Sequence, residues 1–319
     1  MADIFLTTTC KITSYNPGAF ANFDRVVKWS KLDTKKQHQV VDCPDKADII
    51  LFIGDRQIYH SGIYSSEIFK QYRHKSLVLD FYDRTIPTIP GLYATIPLKL
   101  HKYPIYEYLF YDHGGFDRDV AANLFCGYKY LFSFIGSVRS HPSLRGETMR
   151  LNNSRAYLQD TDVCDTYPTT EVYCDSIINS KFILCPRGIA AATIRVFEAM
   201  KAGRVPVIIS DEWREIEING DWQEFSVRVP ERDIQSIPAL LETLEDRSIE
   251  MGKKALLAWE KNFSMTSGFH WLVETCLRIQ KSRTDYESIA SRNIYLETFG
   301  TSHFIPYWKE FMRRRIGKI

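Results

Sequence analysis

Arg187 and Gly188 follow the apolar run Phe182–Cys185, and Arg195 and Glu198 stand three apart in the segment Ala191–Ala202. The run reads as a strand ending in a glycine turn, and the segment as the helix that the turn feeds. At such a junction free backbone N–H groups and the positive end of the helix dipole favour phosphate. Residues three apart share a helical face. An arginine there can grip a pyrophosphate through two hydrogen bonds, and a carboxylate one turn further on can accept both hydroxyls of a ribose. Phosphate donors at Arg187 and Arg195 followed by a ribose acceptor at Glu198 describe a nucleotide-diphosphate pocket.

The elements needed to position these residues recur along the chain. In the first half, Asp3–Thr7, Ala47–Ile53, Leu77–Phe81 and Leu92–Ile96 are short, continuous apolar runs of the kind that form buried strands of a largely parallel sheet. Between them, Ser65–Tyr72 can place Ile68, Phe69 and Tyr72 on one helical face. Aromatic-rich Tyr103–Phe110 and the pair Gly114-Gly115 break the pattern, and a new strand is predicted over Tyr130–Ile135. The second half continues as strand, helix, strand: after Ala191–Ala202, Gly203 sits where a helix C-cap wants positive φ, then come strands Val205–Ser210 and Phe225–Val229. Helical periodicity follows Ser236 (Ile237, Leu240, Leu241, Leu244) and Ser267 (Phe269, Leu272, Val273, Cys276, Leu277). The pattern predicts two doubly wound α/β domains.

Composition limits the alternatives. Across 319 residues, 41 Lys plus Arg against 39 Asp plus Glu leave a net charge of +2, so any anion site is local and nucleic acid is not expected as a partner. Seven scattered cysteines, without CxxC or a matching histidine spacing, read as reduced thiols rather than a disulfide framework or a zinc site. There is no signal-peptide pattern and no stretch of about 20 apolar residues, so the expected location is cytoplasmic. GxGxxG and GKS/T are absent, which disfavours dinucleotide-dependent dehydrogenases and P-loop NTPases.

The ordered segments SKFILCPRG (180–188), RVFEAMKAG (195–203) and VPVIISD (205–211) resemble the exostosin glycosyltransferase family. Upstream, LFSFIGSVR (131–139) with His141-Pro142 and Arg145 is similar to the strand and phosphate-side loop that open that family's donor domain. The resemblance is clear from about Tyr130 to Asp211 and faint before it. It implies a GT-B architecture, two Rossmann-like domains facing across a cleft: an acceptor-side domain over 1–128, a nucleotide-sugar donor domain over 129–282, and a helical segment over 283–319 returning to the first domain. It further implies donor binding by Gly136, Ser137, Arg139, Arg145, Arg187, Gly188, Arg195 and Glu198. The activity implied is inverting transfer from a nucleotide diphosphate sugar, a UDP-sugar by preference, to a glycan or lipid-linked saccharide, with no metal and no further cofactor. The N-terminal membrane anchor of animal members is lacking, which points to a bacterial or viral enzyme working in the cytoplasm.

As the glycosidic bond breaks, the departing diphosphate gains charge, and Arg187 is placed to stabilise it. Inversion also needs a base for the acceptor hydroxyl, and acidic residues just beyond strand ends are the candidates: Asp83 first, then Asp55, with His113 in reserve. Asp160-Thr161-Asp162 matches the metal-holding D-x-D string, but it follows Asn152-Asn153-Ser154 and reads as a solvated loop. Trp213, Trp222, Tyr82 and Tyr111 are candidates to stack on sugar rings. The C-terminal aromatic and basic set around Trp308 and Arg313–Arg315 suggests peripheral contact with an anionic membrane or, alternatively, packing on the N-terminal domain. A nucleotide-sugar epimerase or hydrolase and a non-catalytic binding protein are the competing functions.

Overall fold

The computed structural model describes residues 1–9, 21–54, 58–83, 85–111, 116, 127–164 and 168–283, with 58–61 described as backbone alone. Asp55, His113 and the C-terminal set around Trp308 lie outside the described residues. The chain divides into two compact units, one built from Met1–Leu109 with the chain from Asn262 onward, the other from Phe110–Lys261.

The first unit holds a six-stranded, all-parallel sheet: β1 (Ala2–Thr7), β2 (His38–Val40), β3 (Ile49–Gly54), β4 (Ser76–Asp80), β5 (Gly91–Tyr93) and β6 (Tyr106–Tyr108), in the order β2-β1-β3-β4-β5-β6. Every residue of β3 and of β4 is buried. That is why their central residues, Ile49–Ile53 and Leu77–Leu79, are continuous apolar runs rather than alternating ones. Helices α1 (Ala21–Leu32), α2 (Ile58–Ser65) and α3 (Glu67–Gln71) belong to this unit, α1 burying Val26 and Trp29.

The second unit holds β7 (Tyr130–Gly136), β8 (Ala156–Asp160), β9 (Ser180–Pro186), β10 (Val205–Ile209) and β11 (Val227–Arg228), again all parallel, in the order β11-β10-β9-β7-β8. Its helices are α4 (Pro142–Met149), α5 (Thr170–Ile178), α6 (Arg195–Lys201), α7 (Ile237–Leu244) and α8 (Ser248–Asn262). Phe132, Phe182, Leu184, Val205, Val207 and Leu241 form its buried core. Strand order reverses between β7 and β9, so the carboxyl ends of these two strands border the crevice where open α/β sheets take their ligands.

The last described helix, α9 (Gly268–Ser282), packs on α1 and β5 of the first unit. Gln280 Nε2 donates to Asp48 O (3.1 Å) and Arg283 Nη1 to Ser76 O (2.9 Å). The sequence-based division at 128/129 and 282/283 therefore differs from the observed units. The amphipathic face Phe269, Leu272, Val273, Cys276 and Ile279 is buried against the first unit, not the second.

Other expectations also shift. Helix α6 begins at Arg195, not at Ala191, because Ser210 Oγ donates to Ala191 O (2.8 Å) and holds that stretch to the end of β10 as irregular chain. Strand β11 shrinks to two residues behind a tight turn at Trp222–Glu224, and Tyr103–Phe110 contributes β6 instead of only interrupting the sheet. Trp213 and Trp222 are buried edge to face, 6.2 Å between centroids, and Trp222 Nε1 donates to Ile216 O. They are core, not a sugar platform. Gly203 has φ +64, as a helix C-cap requires.

Gly91 lies in β5 with φ +156, and a Cβ built there would fall 2.0 Å from the Val78 carbonyl oxygen of β4. We expect Gly91→Ala to destabilise the protein by roughly 2–4 kcal/mol through backbone displacement and strain. Urea unfolding followed by circular dichroism checks this; a change below about 0.5 kcal/mol, the size of an ordinary surface substitution, would contradict it.

Candidate functional site

The crevice at the carboxyl ends of β7 and β9 is built around two buried arginines. Arg145, on α4, donates from Nη1 to Ser137 O (3.0 Å), from Nη2 to Pro186 O (3.3 Å) and from Nε to Arg187 O (3.1 Å), tying the loop after β7 to the loop after β9. Arg195, the first residue of α6, donates from Nη2 to Ile135 O (2.5 Å). Both guanidiniums lie over the ring of Phe134, at 5.4 and 4.6 Å from its centroid, and Arg195 also lies 5.7 Å from that of Tyr173. Each is only 9% exposed, although an unpaired buried charge is strongly disfavoured. Aromatic faces and strand-end carbonyls offset part of that penalty.

Gly136 and Gly188 make this packing possible. A Cβ on Gly136 would lie 3.3 Å from Arg145 Nη1 and from Arg195 Nη2, and one on Gly188 would lie 2.9 Å from Arg145 Nη2. Burial, followed by repulsion from Arg195, brings the Arg145 pKa down to about 10, which still leaves it charged at neutral pH. Arg195 Nε is buried with no hydrogen-bond partner.

Glu198 is buried and accepts a 2.5 Å hydrogen bond from the Tyr173 hydroxyl. Burial holds the Tyr173 phenol far above its ordinary pKa, so it stays a donor. Cys185, at the end of β9, is pushed up to about 12 by burial and is inert as a nucleophile.

The N–H groups of Val196, Phe197 and Glu198 are bonded to the carbonyls of Thr193 and Ile194. The expectation of free helix N-terminal amides is therefore corrected: the preceding turn already occupies them, and the positive charge of the crevice resides in the guanidiniums.

The remaining predicted residues are placed as follows. Arg187 lies beyond β9 and is claimed by carboxylates: Nε donates to Glu231 Oε1 (2.5 Å), Nη2 to Glu231 Oε2 (3.3 Å), and Glu212 Oε1 lies 3.7 Å away. Arg139 is exposed, 3.6 Å from Asp162. The D-x-D string is not a solvated loop. Asp160 ends β8, and its Oδ1 accepts from the backbone N–H of Val138 and of Asp162; Asp162 accepts from the Ser137 hydroxyl (2.8 Å) and the Arg139 N–H (2.7 Å). These carboxylates brace the loop after β7.

In the first unit, Asp83 is exposed beyond β4, and its carbonyl accepts from Thr95 Oγ1 (2.9 Å). A 600 Å³ cavity in the second unit is lined by Trp222, Arg228, Leu240 and Met251 and by none of the predicted donor residues.

Phe134, Tyr173 and Glu231 went unnoticed in the sequence. Phe134 reads as strand core, Tyr173 has no distinguishing context, and Glu231 is separated from Arg187 by the whole of β10.

Burial opposes ionisation of Glu231, but the Arg187 guanidinium and the Asp211 N–H outweigh it and hold its pKa below 4.5. A depressed folded-state value gives stability that is present above the unfolded value and lost as pH falls through the folded one. We expect the stability difference between wild type and Glu231→Gln to be constant near neutrality and to shrink as pH drops below about 4.5. Urea unfolding across acidic pH measures it, and a pH-independent difference would contradict the pairing.

Residues 127–244 match the model of the Exostosin GT47 domain. An Exostosin-1 homolog of Caenorhabditis elegans is 37% identical over 108 residues, 32% of this chain and 28% of the relative. Exostosin-1 of Drosophila melanogaster is 23% identical over 245 residues, 70% of this chain and 31% of the relative. The chain thus spans about a third or less of the length of these curated relatives. Among solved structures, a glycosyltransferase from Rickettsia africae ESF-5 aligns over 88% of this chain and 100% of its own at TM-score 0.47 and 12% identity. Every predicted donor residue from Gly136 to Glu198 falls inside the span that matches the Exostosin GT47 domain, and it is this span of the chain that is similar to the exostosins.

Proposed function

We propose that this protein is a GT-B-type glycosyltransferase that moves a sugar from a nucleotide diphosphate sugar, a UDP-sugar by preference, to a glycan or lipid-linked saccharide, with inversion. The observation that carries this reading is the pair of buried guanidiniums of Arg145 and Arg195 at the strand-order reversal of an exostosin GT47 domain. Their charge, held against carbonyls and an aromatic ring with the buried Glu198 close to Arg195, is suited to a diphosphate. Glu198, fixed by Tyr173, is the proposed ribose acceptor. Arg187, held by Glu231 and Glu212, is proposed to release one carboxylate contact as the leaving diphosphate gains charge. With two or three arginines in that role, no divalent metal is required at the diphosphate.

Asp83 is the proposed base that takes the acceptor hydroxyl proton while the sugar carbon passes through an oxocarbenium-like state. The basic aromatic C-terminus, outside the described residues, is proposed to bring the protein to an anionic membrane surface where a lipid-linked acceptor would reside. Among the described residues no helix is long and apolar enough to cross a membrane.

A thermal-shift panel of UDP- and GDP-sugars identifies the donor. Saturation at about 100 times Kd adds roughly 2.7 kcal/mol of stability. With that donor and an acceptor series, we expect turnover without added Mg²⁺ or Mn²⁺. Arg187→Ala should lower kcat by about 10²–10³, the effect of removing a donor that acts on transition-state charge. Folded Arg187→Ala with wild-type turnover would remove that assignment, and donor breakdown without any transfer would replace transferase with hydrolase.

We expect Asp83→Asn to reduce transfer by about a hundredfold or more while leaving donor affinity intact. Single-turnover transfer measured beside donor binding tests this. Near-normal transfer would pass the role to Asp55.

A further inference from the structure

The first unit brings together two imidazoles and a carboxylate for which the donor chemistry has no use. His38 opens the edge strand β2, while His270 and Glu274 stand four apart on α9 and so share a helix face. His38 Nε2 lies 3.1 Å from Glu274 Oε1, and the two imidazole rings stack with centroids 5.2 Å apart. One ligand atom from each of the three side chains lies within 4.8 Å of the other two.

The histidine side chain of β2 is only 2% exposed, yet neither of its ring nitrogens makes a hydrogen bond, and His270 Nδ1 is likewise buried and without one. Buried polar groups in folded proteins are almost always satisfied, yet here the two Nδ1 atoms have no partner and His38 Nε2 meets Glu274 only as a 3.1 Å contact without hydrogen-bond geometry. An ordinary hydrogen-bonding group would have to reach each ring separately. A metal ion can accept lone pairs from both rings at once, and the carboxylate supplies balancing charge, with the buried Asp33 adding negative potential at His38.

We propose that His38, His270 and Glu274 bind a divalent ion of the zinc class, with solvent as the fourth ligand. Two imidazoles and one carboxylate suit Zn²⁺, whereas hard ions such as Mg²⁺ and Ca²⁺ prefer oxygen alone. Tetrahedral zinc with bonds of about 2.0–2.1 Å places ligand atoms about 3.3 Å apart. The His38–Glu274 approach already matches, and rotation of the half-buried His270 closes the remainder. The ion would clamp α9, which returns from the far end of the chain, onto the edge of the first sheet. Its role is structural, and none of the donor-site residues takes part.

The experiment uses untagged full-length protein, stripped with chelator and then freed of it. Calorimetric titration with ZnCl₂ should show one ion per chain, and zinc should raise the melting temperature. Co²⁺ should give the visible absorption of a four-coordinate site. Glu274→Gln, at an exposed position, and His270→Asn should each weaken zinc binding at least tenfold, without lowering the melting temperature measured in chelator. Absence of zinc binding at micromolar concentrations would overturn the proposal. So would unchanged affinity in both variants, which would place the ion on other ligands such as the surface thiols.

Discussion

Two guanidinium charges removed from water at one point of a parallel sheet are the constraint around which the second unit is organised. Arg145 and Arg195 share the face of Phe134; Arg145 donates to backbone carbonyls, and Arg195 has the buried Glu198 carboxylate one turn along its helix as an electrostatic partner. Such burial is strongly unfavourable unless donors and charge are compensated. The compensation dictates local structure. Four strand-end carbonyls must point inward, from Ile135, Ser137, Pro186 and Arg187, and glycine must occupy positions 136 and 188 where a side chain would push the guanidiniums away. The loop after β7 must hold its shape, and Asp160 and Asp162 hold it by accepting its N–H groups. Natural folds keep costly arrangements of this kind where function uses them.

Much of this was legible in the sequence, for a physical reason. Strands buried on both faces need apolar centres, so the middles of β3, β4, β9 and β10 stand out as runs. The glycines and arginines stand out because few other reasons place Gly-Ser-x-Arg and Pro-Arg-Gly directly after such runs. Strand β6 was missed because its Tyr-Glu-Tyr sequence lacks that signature; Glu107 is nevertheless buried, 3.0 Å from His101 Nε2, and that ring stacks on Tyr108. The start of α6 was misplaced because Ala190–Ala192 has high helix propensity, which a single tertiary bond from Ser210 overrides. Partners such as Tyr173 for Glu198 and Glu231 for Arg187 left no trace, since pairing between elements distant in sequence carries no local period.

Charge is distributed differently across the crevice. Arg187 is balanced by Glu231 and Glu212, and Arg139 approaches Asp162, while Arg145 and Arg195 donate to backbone carbonyls, with the buried Glu198 acting on Arg195. In the first unit the same economy of long-range ties recurs: the end of α9 is tied through Gln280 to Asp48, just before β3, and through Arg283, which follows the helix, to Ser76 of β4, so the unit depends on a helix that follows the whole of the other unit in sequence.

The role of the inner arginines is decided by nucleoside diphosphate affinity in Arg195→Met, compared with wild type by calorimetry, with folding confirmed by circular dichroism. Met preserves much of the volume over Phe134 and removes the charge. Loss of at least tenfold in affinity, equivalent to about 1.4 kcal/mol or more, in a variant as well folded as wild type is the result that follows from a charge kept for a diphosphate. Unchanged affinity in a folded variant, or a variant that does not fold while wild type binds no diphosphate, would show that Arg195 serves the core and not a ligand.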